Sequence, residues 1–182
     1  MTTPSICGPG NRVRSYLAEL LQLSSGELRP VIIPLQATLT TSVLTLSDSN
    51  YVVPSDQDLY IYSIAGYLAS NALASEPTAM LGWLNLDPSE RFLVKAMNCV
   101  VQLEDVSRTY KFFEGREATL ASIMPPFGSP VQFPVETPIP VSAKHSLKAT
   151  FTLQDTAAAT VGASTDYGVQ ITGVLVPHRG AR

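Results

Sequence analysis

Two histidines, His145 in "AKHSLKA" and His178 in "VPHRGAR", are the side chains best suited to acid–base or metal chemistry in this 182-residue chain. Neither sits at a spacing that supplies two metal ligands from one element, and a His/carboxylate metal centre needs such a cluster. His145 stands at a strand entrance, where a solvated or hydrogen-bonded imidazole is expected, and His178 lies in a short basic tail. The chain has serines but no G-x-S-x-G, and "GPGNR" lacks the Lys-Ser/Thr that a phosphate loop requires. Asp48, Asp56 and Asp58, in "SDSN" and "PSDQD", could offer oxygens to calcium, although Asp in turns ordinarily bonds its own backbone, which is the expected role. Two cysteines, Cys7 and Cys99, are too few for a disulfide framework, and Cys99 within "KAMNCVVQL" reads as a small buried hydrophobe. Tyr60 and Tyr62 share one side of a strand, either as a sugar-stacking platform or as a packed pair, and Trp83 in "MLGWLNL" invites the same two readings. The expectation is a protein that is not an enzyme and uses no cofactor and no metal.

Composition points to assembly instead. Charged residues are 15% of the chain, against about 25% in average globular proteins, while hydrophobic residues are 45%. The surface must therefore be covered by Thr, Ser, Gln and Asn, or by other chains. A formal net charge of −3 gives no basic field for a phosphate backbone, so nucleic acid is not an expected partner. The start "MTTPSICGPGNR" lacks the features of a secretory signal, and no run of about 18 apolar residues occurs, so neither export by the usual route nor a membrane is expected.

The elements that would position these residues follow from periodicity. Val13, Tyr16, Leu17, Leu20 and Leu21 fall at i, i+3, i+4, i+7 and i+8, which predicts an amphipathic helix near residues 12–23, capped by Asn11 and followed by Gly26. Residues 1–11 read as a flexible arm. Strand signals begin at Pro30 in "PVIIPLQATLTTSVLTLS" and recur near 50–53, 58–69, 79–86, 91–104, 108–113, 117–123, 135–141, 147–155 and 167–176. Six of the fourteen prolines fall between Pro125 and Pro140, so that interval must cross the surface or run along an edge, and reads as a connection more than a central strand.

In "LKATFTLQD", Leu147, Ala149, Phe151 and Leu153 alternate with polar residues; in the final run Val169, Ile171 and Leu175 share a face. An antiparallel pairing of the last strand with residues 147–155 is the simplest topology. Many short strands without interior helices predict one all-β domain, a Greek-key jelly-roll-like sandwich over residues 30–182 with the arm and helix at 1–29; an immunoglobulin-like sandwich is the runner-up.

The stretch from "YVVPSDQDLYIYSIAGYLA" through "SLKATFTLQDTAAATVGASTDYGVQITGVLVP" resembles the small jelly-roll structural proteins of tailed bacteriophage virions, of the cement, decoration, or neck and tail accessory kind. The features carrying the likeness are a "VP…D" turn into a long hydrophobic strand, a "FTLQD" strand and the ending "YGVQITGVLV", spread over residues 50–177. The resemblance implies a virion subunit made in the host bacterial cytoplasm, working as a symmetric homo-oligomer with a trimer favoured, and bound to the major capsid protein or other virion proteins.

Composition independently suggests where contacts lie. Segments 30–47 and 118–135 carry no charged side chain, and uncharged edges invite covering by another chain. Val13, Tyr16, Leu17 and Leu20 of the helix stripe, with Leu39 and Thr41, are the candidate interaction residues. A carbohydrate- or receptor-binding module of a tail fibre is the alternative function, and an enzyme would require a polar cluster in a deep pocket.

Overall fold

Along the first strand Ile33, Leu35 and Ala37 are buried while Pro30, Ile32, Pro34, Gln36 and Thr38 are exposed, and this period of two sets one face of a sheet against a core. The computed structural model describes residues 15–19, 22, 27–39, 45–70, 98–113, 117–124, 133–154 and 165–178. Nine strands are formed among them: β1 (Arg29–Leu39), β2 (Thr45–Val52), β3 (Gln57–Ser70), β4 (Cys99–Asp105), β5 (Tyr110–Lys111), β6 (Ala118–Thr119), β7 (Phe133–Val141), β8 (Ser146–Leu153) and β9 (Thr165–Pro177).

They make two antiparallel sheets. The first has the order β1-β9-β3-β7; the second has the order β2-β8-β4-β5, with β6 also on β4. The chain crosses between sheets at β1 to β2, β2 to β3, β3 to β4, β6 to β7, β7 to β8 and β8 to β9. This arrangement bears out the all-β expectation.

The last strand does not pair with residues 147–155. β9 lies between β1 and β3, and β8 lies between β2 and β4 in the other sheet. Closeness in sequence favoured a hairpin, but both strands are apolar on one face, and those faces meet across the sandwich instead of side by side. The shared core itself is as expected: Leu147, Phe151, Leu153, Val169, Ile171 and Leu175 belong to one cluster with Leu59, Ile61, Val101 and Leu103.

β1 and β7 are the two edges of the first sheet, and they carry Pro30, Pro34, Pro134, Pro138 and Pro140. Proline cannot donate to a ladder, so an edge is where such strands fit. The proline-rich interval thus ends in an edge strand from Phe133 onward; residues 125–132 lie outside the described residues. The expected strand at 79–86 lies outside them as well, as do residues 91–97. The expected 108–113 strand shrinks to Tyr110–Lys111. The 117–123 strand shrinks to Ala118–Thr119, followed by a 3-10 turn at Leu120–Ile123. That turn enters the core through Leu120, Ala121 and Ile123. It passes over Gly66 of β3, where an added Cβ would stand 2.8 Å from Leu120 Cδ1.

Residues 15–19 are helical. The remainder of the expected 12–23 helix and the arm at 1–11 lie outside the described residues, apart from Gln22, which has a φ of 51°. Within β3 the register shifts against both neighbours between Ile61 and Ser63. The bulge turns both Ile61 and Ile64 into the core although they are three positions apart.

Candidate interaction surface and the polar end of the sandwich

The turn between β7 and β8, residues 142–145, brings together three of the ionisable side chains that the sequence singled out, His145, Asp58 and His178. His145 places Nδ1 2.8 Å from an Asp105 carboxylate oxygen at the end of β4; the other oxygen of Asp105 accepts the Ser107 amide at 3.1 Å. Asp58, at the start of β3, accepts the Ala143 amide at 2.8 Å and faces His178 Nδ1 at 2.9 Å. Arg108 donates to the Ser142 hydroxyl. The Lys144 amide donates to the Val53 carbonyl and the Val53 amide to the His145 carbonyl, which locks the turn to the segment after β2. Both histidines are thus hydrogen-bonded parts of one end of the sandwich, tying the first sheet through Asp58 and the second through Asp105.

Asp58 does not bond its own turn as expected: it lies in β3 and accepts the amide of Ala143, 85 positions away, beside His178. Asp56 contributes its backbone carbonyl, which accepts the His178 amide at 2.7 Å, and Asp48 lies in β2. Among the described residues, no group of three or more His, Cys, Asp or Glu is placed to hold a metal ion. Cys99 is fully buried in the core, and burial pushes its thiol up to about 12, with a backbone hydrogen bond from Thr152 acting weakly in the other direction. Burial, followed by the nearby Cys99, also raises Tyr167 far above the ordinary phenol range. The Cys99 thiol is therefore protonated near neutral pH and is a packing group, as the sequence suggested.

The candidate interaction residues divide. Leu17 is 0% exposed in a cluster with Leu28, Val174 and Val176, on the outer side of the first sheet. The helix stripe at that point closes on its own chain. Burying this side chain contributes roughly 1.5–3 kcal/mol, and Ala18, Tyr60 and Tyr62 pack against the cluster. The two tyrosines are therefore a packed pair, and desolvation, then the charge of Asp58, raises Tyr60 above its usual range. Tyr16, the neighbour of Leu17, is 50% exposed. Leu39 stands opposite Thr165 in the β1–β9 ladder, its side chain outside what is described. Val13, Leu20, Thr41, Cys7 and Trp83 lie outside the described residues.

Away from the Leu17 cluster, the outer faces of both sheets carry polar side chains. On the first sheet Thr38 donates to Asp166 across the β1–β9 pair. Tyr67 lies over Gly168 and reaches Gln36 Oε1 at 3.0 Å, bracing three strands. On the second sheet Gln102 and Thr150 are half-buried neighbours, and Lys148 stands 4.0 Å from Glu104, a contact too long and too wet to contribute much. Among the described residues the most exposed large apolar side chains are Ile32, 62% exposed on the β1 edge between the exposed Pro30 and Pro34, and Val52, 56% exposed at the end of β2. Composition alone pointed to segment 30–47 but could not tell its outward residues from those in the core.

Among the described residues, no helix is long and apolar enough to cross a membrane. No protein-family model matches the chain, and no curated protein matches it significantly.

Proposed function

We propose that this chain is a non-enzymatic structural subunit of a virus particle, of the tailed-phage cement or decoration kind, built as a jelly roll and working as a homo-oligomer, most simply a trimer. The observation that carries the reading is the strand order, β1-β9-β3-β7 facing β2-β8-β4-β5. Eight strands in this order, with β6 as an addition, support reading the two sheets as the double Greek key used by viral capsid domains, and also by lectins and cupins.

The choice among those uses rests on side chains, because a fold does not carry a function. A cupin would set a cluster of metal ligands between the sheets, whereas the described interior here is filled by Leu, Ile, Val, Phe, Tyr, Ala and Met with the lone Cys99. A carbohydrate module would present open aromatic faces side by side, whereas Tyr60 and Tyr62 are partly buried against the cluster of Leu17, Leu28, Val174 and Val176, and the half-exposed Tyr16 and Tyr110 stand on separate elements. The uncharged ridge of Pro30, Ile32, Pro34, Gln36 and Thr38 on β1 supports a role in contacts with other subunits. Prolines on β1 block continuous strand addition there, so the contact would be made by side chains. In this reading the partners are further copies of the chain and the capsid or tail surface, with neither nucleic acid nor membrane involved.

Native mass measurement of the purified protein, alone and mixed with the major capsid protein, tests the proposal. A species of three chains, or a stable complex with capsid protein, supports it. A persistent 19.6 kDa monomer that binds neither itself nor capsid protein contradicts it.

A further inference from the structure

We infer that the outer face of the first sheet holds a structural water molecule between Ser63 and Thr172. The two residues stand directly opposite each other in the β3–β9 ladder, in the row that runs Ile32, Thr172, Ser63, Pro134 across all four strands. They are 3% and 7% exposed, and neither hydroxyl has a hydrogen-bond partner among the described residues. Buried hydroxyls are rarely left bare, since each gives up hydrogen bonds to solvent on burial. One water can accept from one hydroxyl and donate to the other, satisfying both at once.

The surroundings fit this ligand. The β3 register shifts immediately before Ser63 against both neighbouring strands, so the regular ladder is broken there. Pro134, opposite Ser63 on the other side, has no N–H with which to satisfy an acceptor. The next position along β3 on this face is Ala65, opposite Gln170, a buried residue that brings no hydrogen-bonding side chain of its own to the pair. The water would fill a break that the bulge creates and so hold it in place. That bulge sits next to Tyr60 and Tyr62, which pack against the cluster that holds Leu17. This inference is independent of the virion reading.

Ser63→Ala, Thr172→Val and the double variant test it, with two readouts. In denaturant titrations each single change is expected to shift the folding equilibrium about tenfold toward the unfolded state, and the double variant is expected to differ little from the worse single one, because one substitution already releases the water. In NMR spectra the unsubstituted protein is expected to show a long-lived water cross-peak to the Thr172 methyl that the double variant lacks. Substitutions that stabilise the protein or add independently, with no long-lived water at Thr172, would show a dry pair of hydroxyls and overturn the inference.

Discussion

His145 and Asp105, forty positions apart in sequence, meet with Nδ1 2.8 Å from the carboxylate at the end of the sandwich where β7 turns into β8. Asp105 is 2% exposed, so its carboxylate depends on this imidazole and on the Ser107 amide in place of water. Asp105→Ala is expected to cost about 1–3 kcal/mol, because both donors lose a buried acceptor. Asp105→Asn, which keeps one acceptor oxygen, should cost less. Urea titrations of the two variants would measure the difference; equal and negligible losses would mean that the turn is held by its backbone bonds alone.

Phe151 is fully buried on β8, facing the first sheet. Phe151→Ala is expected to cost about 3–5 kcal/mol in a denaturant titration. An unchanged midpoint would contradict the face assignment of β8.

Gly168 lies beneath Tyr67, and an added Cβ would come within 2.0 Å of the ring. Gly168→Ala must push the ring aside, ending its bond to Gln36, and is expected to cost about 1–3 kcal/mol. In a Tyr67→Ala background the same substitution should cost far less, since nothing then occupies the space. A double-mutant cycle measures that coupling; simple additivity would contradict it.

The depth of Cys99 gives a dependence on pH. Its thiol is raised from an ordinary value of about 9 to about 12 in the folded chain, so the unfolded chain releases the proton first. The stabilising contribution is fully present below about 9 and is lost as pH rises toward about 12. Tyr167 shifts the same way. Stability measured from pH 8 to 11 should therefore decline, and Cys99→Ala should flatten part of that slope. The native thiol should also resist thiol reagents until the protein is unfolded; rapid labelling of Cys99 in the folded state would contradict its burial.

Local patterns were legible in the sequence and long-range ones were not. The alternation in β8 and in the last strand is visible residue by residue, which is why Leu147, Phe151, Val169 and Ile171 could be assigned to one core. What pairs with β9 is not visible, because its neighbours start at Arg29 and Gln57, more than a hundred positions away. The β3 bulge leaves no mark in "YIYSIAGYLA", where strict alternation would separate Ile61 from Ile64. The His145–Asp105 and His178–Asp58 pairs span forty and 120 positions, beyond any spacing rule for a site. Leu17 was found as part of a stripe, but only the fold shows that its partners are Val174 and Val176 of the same chain.

Leu17 and Tyr16 should consequently behave differently. Leu17→Ala is expected to destabilise the monomer by about 2–5 kcal/mol. Tyr16→Ala, at a position half exposed to solvent, should leave stability within about 0.5 kcal/mol. Thermal unfolding of both variants would check this; equal losses would mean that residues 15–19 are not held through Leu17.

Incorporation into particles tests the account most directly, read from variants that place charge on the β1 edge. Ile32→Lys changes the exposed centre of the uncharged ridge, and a Leu39→Lys, Thr41→Lys double variant probes the same segment further along. Each is compared with the unsubstituted protein for unfolding midpoint and for the amount bound to purified capsids or tails. Ile32→Lys is expected to keep its unfolding midpoint and lose binding. A protein that stays monomeric at high concentration and never binds particles, or an Ile32→Lys variant that binds them unchanged, would contradict it.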